Sequence, residues 1–293
     1  MADANFEATE RYFDRITSGN GERRGGPNIA ALNQFFALMP KGGDIHHHYS
    51  GAIYAETYLD WVEKDGYWIN KNSLKIQTAR SFPVVEDTWT VKELKADDAL
   101  YRKLMSLWSD RNYEDYYHDQ PPPDLNFFNT FGYFGALANN HVADGLKILK
   151  ARAKQENVQY LETILTEVSY KCNDSDLNAK LSELQAQLLE LQAKKCSLGT
   201  ASALAACVDV IDKDPNFEYT VDGYIKEVAQ THSGLDDDEF MIRYQTYAFR
   251  GAPPSAVFSG LYAGFLAASR SEFVLGVNIV GPENNPIALR DYW

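Results

Sequence analysis

Apolar residues recur at helical spacing through most of the chain, whereas four shorter runs have the extended, aromatic and β-branched character of strands. The predicted helices cover residues 5–16, 29–39, 53–64, 126–138, 142–155, 177–198, 201–212, 222–231 and 253–269, with a short one near 287. The first predicted strand ends at residue 48, and the others cover residues 158–165, 240–249 and 272–280. Strands that alternate with helices favour parallel βα units, in a barrel or a doubly wound sheet.

With 293 residues and 45% hydrophobic content, the chain can bury a sizeable core and has the size of one α/β barrel domain. Within this domain we predict N-terminal helices over 1–40, an insertion over 66–140 and a helical segment over 170–235. The insertion follows the first strand, is helical and aromatic, and is expected to cap another part of the fold. Its aromatic residues include Trp68, Trp89, Tyr101, Trp108, Tyr113, Tyr116 and Tyr117.

A series of leucines in the 170–235 segment mostly follows the four-three spacing of a coiled-coil seam. The series comprises Leu177, Leu181, Leu184, Leu188, Leu191 and Leu198. One interpretation is an amphipathic helix that packs on its own domain, because sustained coiled coils usually run for at least about three heptads. The alternative is a dimerisation arm, which would make the protein a homodimer.

The composition opposes two classes of partner, and the cysteines favour free thiols, with one bridged pair as the alternative. A formal net charge of -13, from 28 basic and 41 acidic residues, opposes non-specific binding to nucleic acid or an anionic membrane surface. Cys172, Cys196 and Cys207 form no disulfide framework and are predicted to be free thiols. The start lacks a signal-peptide pattern, so the chain as given is expected to be cytoplasmic, although an exported form with its signal removed would look the same.

The strongest chemical signal is the histidine run at the end of the first predicted strand. Side chains alternate along a strand, so His46 and His48 share one face and His47 points the other way. Two imidazoles at a strand's C-terminal end can form half of a metal site, and barrel enzymes gather their reacting groups at that end. The alternative is a pair of exposed or structurally hydrogen-bonded histidines. The remaining histidines, His118, His141 and His232, are not predicted at strand ends.

The segment 39–56, with Pro-Lys-Gly-Gly-Asp before the histidines and Ser-Gly-Ala after them, resembles the first-strand signature of adenosine deaminases. It is most similar to the branch that includes secreted adenosine deaminase growth factors. The resemblance extends to residues 157–164 and 276–283, which look like the second and fourth strands of the family.

This resemblance implies a barrel of the metal-dependent hydrolase kind that converts adenosine, or a related purine nucleoside, to inosine and ammonia through zinc-activated water. Zinc would be bound by His46 and His48, and the purine would be contacted by the backbone of Gly281. Ser50 stands where the classical enzymes have an acidic residue near the ribose, so its contacts with the substrate are expected to differ.

Several family segments are absent from this sequence. We find no His-x-Gly-Glu segment, later catalytic histidine or Asp-Asp pair, so no catalytic residue is assigned. The chain therefore looks like the N-terminal portion of such a protein, with the first four strands only. The acidic run Asp236–Glu239 is predicted to be a solvated loop, and Glu162 and Arg243 are either pocket residues or packing residues.

Three hypotheses follow. The leading one is an adenosine deaminase-like metallohydrolase of which this chain carries part of the active site. The second is a catalytically silent, truncated protein that binds nucleosides or other proteins, since an open half barrel exposes strand edges. The third is another metal-dependent amidohydrolase, because that wider group shares the His-x-His arrangement.

Overall fold

The computed structural model describes residues 2–18, 26–78, 87–111, 113–114, 121–172, 174–193 and 201–291, without the side chains of 2–3, 191–193 and 291. The helices are α1 (Ala2–Thr17), α2 (Ile29–Leu38), α3 (Tyr49–Ala52), α4 (Ala55–Lys64), α5 (Val91–Ala96), α6 (Asp98–Trp108), α7 (Pro123–Ala138), α8 (Val142–Gln155), α9 (Ser175–Ala193), α10 (Ala201–Ile211), α11 (Pro215–His232), α12 (Pro254–Arg270) and α13 (Pro286–Asp291). The strands are β1 (Gly42–His48), β2 (Trp68–Asn70), β3 (Ile76–Gln77), β4 (Thr88–Trp89), β5 (Val158–Ile164), β6 (Met241–Phe249) and β7 (Val274–Val280).

The four strands predicted from the sequence form one curled parallel sheet in the order β1-β5-β6-β7. The four strands are neighbours in the sheet in the same order in which they follow one another along the chain, and helices lie in the connections between them. A doubly wound sheet reverses its strand order at a switch point, and this sheet does not. The fold is therefore α/β with the sequential winding of a partial TIM-like barrel.

The two faces of this sheet have different environments. On β6 the side chains of Ile242, Tyr244 and Thr246 are fully buried, because α12 packs over β6 and β7 on this side. The alternate residues, among them Gln245 and Phe249, lie on the other face and are partly or largely exposed. We call the first the helix-covered face and the second the open face.

Between β1 and β5 the chain forms a helical unit with a small sheet of its own. Strands β3, β2 and β4 pair antiparallel, and each has only two or three residues, which is too short for a periodic pattern to predict. Aromatic packing holds the unit together: the rings of Tyr58 and Phe134 stack at 4.4 Å, and Trp108 donates a hydrogen bond to the carbonyl of Leu74. That residues 66–140 are an insertion stays a prediction.

Two predictions of local structure were wrong. The helix predicted at 222–231 begins at Pro215, because Asp214 caps its N-terminus and proline suits the first turn, so His232 ends a helix instead of lying in a loop. The helix predicted at 53–64 begins later, at Ala55 in α4, because Ile53 is extended, and the short helix α3 before it was not predicted. Helix α3 thus begins immediately after the histidines.

The leucine-rich helix packs on its own domain through its first half. Leu177 is fully buried, Leu181 and Leu184 contact the core, and Leu188 is half exposed. The side chain of Leu191 and residues Leu198, Cys196, Tyr116, Tyr117 and His118 lie outside the described residues. Cys172 and Cys207 are free thiols. The dimerisation arm stays a prediction, and no described helix has the length and apolar character needed to span a membrane.

Candidate metal and nucleoside site

His46 and His48 lie together at the C-terminal end of β1. Their Nε2 atoms are 3.4 Å apart, and their rings meet edge to face with centroids 5.1 Å apart. Both side chains are on the open face, because His48 is in register with Ile164 of β5, which is in turn in register with Gln245 of β6. The structure therefore brings the two predicted ligands together.

A local irregularity in β1 helps to present the pair. The register with β5 shifts between Asp44 and His47, as in a β-bulge, and the Asp44 carboxylate accepts a hydrogen bond from the backbone N–H of His46 at 3.1 Å. The carbonyl of Ile45 accepts a hydrogen bond from the side-chain amide of Gln245. The backbone at residues 45 and 46 is thus fixed by one hydrogen bond within β1 and one from β6.

The residues that alternate with the pair anchor the strand to the core. His47 points to the opposite side, where its Nδ1 is 2.9 Å from the hydroxyl of Thr163, and burial lowers its pKa. Tyr49 is fully buried and donates a hydrogen bond to the carbonyl of His141 at 3.2 Å. A side chain on Gly145 of α8 would collide with the Tyr49 ring, so the glycine permits this close packing.

The separation of the pair is compatible both with a direct hydrogen bond and with two imidazoles on one zinc ion. Two imidazole nitrogens on a tetrahedral zinc, each at about 2.0–2.1 Å, lie about 3.4 Å apart, which matches the observed separation. Burial, with the neighbouring His46, lowers the pKa of His48, which favours the neutral imidazole that binds metals. Among the described residues, no group of three or more His, Cys, Asp or Glu side chains is placed to hold a metal.

A chain of polar side chains crosses the open face below the pair. The amide of Gln245 donates to Glu162 at 2.6 Å, Tyr160 donates to the same carboxylate at 3.1 Å, and Asn278 donates to the Gln245 carbonyl at 3.2 Å. Burial, with the hydrogen bond to Glu162, raises the pKa of Tyr160 to about 12. We call these four residues the open-face network. It joins side chains of β5, β6 and β7, so Glu162 faces the open side.

The other two residues predicted to contact substrate lie apart from the histidines. Gly281 follows β7 at the opposite edge of the sheet from β1, and its φ of +108° is a conformation that favours glycine. Ser50 lies in α3, where its carbonyl accepts a hydrogen bond from Tyr58 at 2.8 Å. The structure thus brings His46 and His48 together and leaves Gly281 at the end of β7, three strands away from β1.

The remaining described histidines have structural partners. His141 caps α8, stacks on Trp61 and lies 2.7 Å from the Asp65 carboxylate. His232 is buried and lies 3.1 Å from the hydroxyl of Tyr244.

The acidic run before β6 is more structured than predicted. Asp236 accepts from the backbone of Ile242 and pairs with Arg243 at 2.7 Å, which makes Arg243 a packing residue at the start of the strand. Asp237 pairs with Lys150 and Lys154. Asp237, Asp238 and Glu239 have the exposure expected of a solvated loop, whereas Asp236 is partly buried.

Sequence reasoning missed four residues of the open face: Tyr160, Gln245, Asn278 and Phe249. Alternation along each predicted strand separates its two faces, but the register between the strands, which puts these residues on the same face as the histidines, comes from the structure. What the sequence does not show is that their side chains bond to one another across strands.

No family model matches this sequence, and no curated protein matches it. Among solved structures, the chain is similar to Arabidopsis ADAL complexed with GMP, with a TM-score of 0.41 and 14% identity, over 87% of this chain and 52% of that one. The chain spans about half the length of the protein it matches. The functional assignment therefore depends on the residues of this chain.

Proposed function

We propose that this chain forms part of the active site of an adenosine deaminase-like metallohydrolase. The observation that carries the proposal is the His46–His48 pair, with its 3.4 Å nitrogen separation at the C-terminal end of a barrel-like strand. The sequence around the pair, residues 39–56, adds the resemblance to the deaminase signature. Adenosine or a related purine nucleoside is the proposed substrate, and inosine and ammonia are the proposed products.

His46 and His48 would hold the zinc, which when bound supplies a Lewis acid and lowers the pKa of water toward neutrality. The chain's own contribution is positioning. Thr163 and the helix α8 hold His47 and Tyr49, so the two alternate histidines keep a fixed separation. The backbone of Gly281 is the proposed purine contact at the far edge of the sheet.

Zinc hydrolases use about three protein ligands and an open position. The described residues supply two, so the third ligand and the proton-transferring groups are proposed to come from elsewhere in the complete enzyme. A silent nucleoside-binding protein is favoured by the same observation. Turnover separates the two candidates.

The test measures bound zinc per chain after dialysis, in the complete enzyme, for the wild type, His46→Ala/His48→Ala and the matched control His47→Gln. The control changes the neighbouring histidine, whose side chain points to Thr163 on the other side of the strand. We expect the double variant to lose the zinc and His47→Gln to keep it. Equal zinc content in all three proteins would overturn the metal assignment.

The same preparations are then incubated with adenosine, and inosine is followed by ultraviolet absorbance. Zinc-dependent inosine formation supports the hydrolase. Saturable adenosine binding without inosine supports the silent binding protein.

A further inference from the structure

Phe249 ends β6 on the open face, at the same end of the sheet as the histidine pair. It is in register with Val280, the residue before Gly281, and 45% of its surface is exposed. A single exposed apolar residue is ordinary. What distinguishes Phe249 is the backbone that surrounds its ring.

The backbone of two glycines lies close to opposite edges of the Phe249 ring. A Cβ added at Gly281 would lie 2.7 Å from Cε2 of the ring, and one added at Gly251 would lie 2.5 Å from Cε1. Both distances are shorter than real Cβ contacts, so only glycine lets the backbone come this close. Gly281 also has the positive φ that a side chain would oppose.

Side-chain contacts of Arg250 hold the two glycine loops together. Its Nη1 pairs with Glu283 at 3.0 Å, and its Nη2 donates to the carbonyl of Ile279 at 3.0 Å. Its backbone N–H donates to the carbonyl of Val280 at 2.9 Å. The ring is therefore fixed in orientation while nearly half of the residue stays open to solvent.

We propose that Phe249 is a specificity-determining residue whose ring stacks against the heterocycle of the ligand. This inference rests on the proposed function and deepens it by naming the surface that would bind the base. β6 is two strands from β1, about 10 Å across the sheet. Gln245 is level with His48 through Ile164, and Phe249 lies four residues further along β6, so its ring is nearer the mouth of the sheet than the histidine pair. A flat, rigid ring selects an aromatic base over a non-aromatic group of similar size, because stacking requires two planar faces.

The experiment measures the dissociation constant of adenosine, by calorimetry, for the zinc-treated 293-residue wild type and for Phe249→Trp, Phe249→Leu and Phe249→Ala. The control is Phe265→Ala, which removes a phenylalanine on α12 that is 63% exposed. Ribose serves as the non-aromatic probe, and circular dichroism checks that each variant is folded.

We expect adenosine binding to weaken about tenfold or more in Phe249→Ala, as for the loss of one base–aromatic stack. Phe249→Leu should be similarly weakened, whereas Phe249→Trp should retain binding and Phe265→Ala should match the wild type. Ribose binding should not respond to any of these changes.

Three results would overturn the inference: wild-type affinity in folded Phe249→Ala, wild-type affinity in Phe249→Leu, which would show that apolar volume suffices, or no adenosine binding by the wild type. Its failure is distinguishable from failure of the metal assignment, which is judged by the zinc content of the His46 and His48 variants. Adenosine binding that needs Phe249 in a chain without zinc would support the stacking surface independently of the metal site.

Discussion

The two faces of the four-stranded sheet use the same strands for different purposes. On the helix-covered face, Tyr244 and Thr246 are fully buried, and the hydroxyl of Thr246 donates to the carbonyl of Thr166 at 2.9 Å. On the open face of the same strand, Gln245 bonds to side chains of β5 and β7 and Phe249 remains half exposed. Alternation at every second residue separates the two environments.

This difference indicates which substitutions should lower the free energy of unfolding and which should change binding instead. The helix-covered face removes apolar surface from water, so its side chains contribute to the free energy of unfolding. On the open face the polar side chains bond mainly to one another and contribute little burial. Substitutions there should affect binding more than stability, and the predictions below test this division.

The largest contrast is expected between two aromatic residues of β6. Tyr244→Ala should lower the free energy of unfolding by about 4 kcal/mol, because it leaves a cavity under α12 and removes the partner of His232. Phe249→Ala should cost about 1 kcal/mol or less, because the ring is half exposed. Urea unfolding of both variants measures the contrast. Equal losses would break the division between the faces.

Two glycines provide a smaller contrast of the same kind. A Cβ at Gly264 of α12 would lie 2.8 Å from Thr246 and 3.0 Å from Val277, so Gly264→Ala should destabilise by about 2 kcal/mol despite the better helix propensity of alanine. A Cβ at Gly276 would meet only the movable Gln245 and Glu162 side chains at 3.3 Å and beyond, so Gly276→Ala should cost less than about 1 kcal/mol. Thermal unfolding with matched buffers compares them, and a larger loss in Gly276→Ala would contradict the expectation.

The open-face network should contribute a modest stabilisation. Gln245→Ala removes the donor to Glu162 and the acceptor of Asn278, but water can reach this face and replace both partners. We expect a loss of about 1 kcal/mol in urea unfolding. The double variant Gln245→Ala/Glu162→Gln should lose little more than Gln245→Ala alone, and fully additive losses would show that the two side chains do not act together.

The smallest effect is a pH dependence from the helix-covered side. Burial lowers the pKa of His232. Asp236, 3.4 Å away, raises this pKa in part, and Arg243 lowers it further. The Tyr244 hydroxyl also faces the ring. In the unfolded chain this histidine takes up a proton near pH 6.5, so the unfolded state binds more protons below that pH. The contribution of His232 is present above about pH 6.5 and is lost as the pH falls toward its lower folded pKa.

The measurement compares urea unfolding of the wild type and His232→Gln between about pH 7 and pH 5. The wild type should lose more stability than the variant over this interval. An identical pH dependence in the two proteins would mean that His232 does not titrate differently on folding.

The main elements of the fold could be predicted because they are long and periodic. Helix α8 and the four strands of the parallel sheet were found within a few residues of their observed bounds. The strands β2 to β4 could not be predicted, since two or three residues carry no period. The start of α11 was missed even though Asp214 and Pro215 provide a cap and a first-turn proline.

The candidate site could be predicted only where local geometry decides it. Alternation placed His46 and His48 on one side of β1. The open-face network and the fixed ring of Phe249 depend on contacts between residues far apart in sequence, such as Glu162 with Gln245 or Phe249 with Gly281. Such contacts exist only after the strands have paired.

Among the four consecutive residues from His46 to Tyr49, the even-numbered and odd-numbered positions have different roles. The even positions carry the two imidazoles, and the odd positions carry the side chains that hold the strand in place, through Thr163 and through the carbonyl of His141. The even positions could therefore be exchanged for cysteine or a carboxylate, which changes the kind of metal that such a pair would favour, without disturbing the anchors. Insertion of one residue within this stretch would exchange the two sets, so spacing here is under tighter constraint than residue identity.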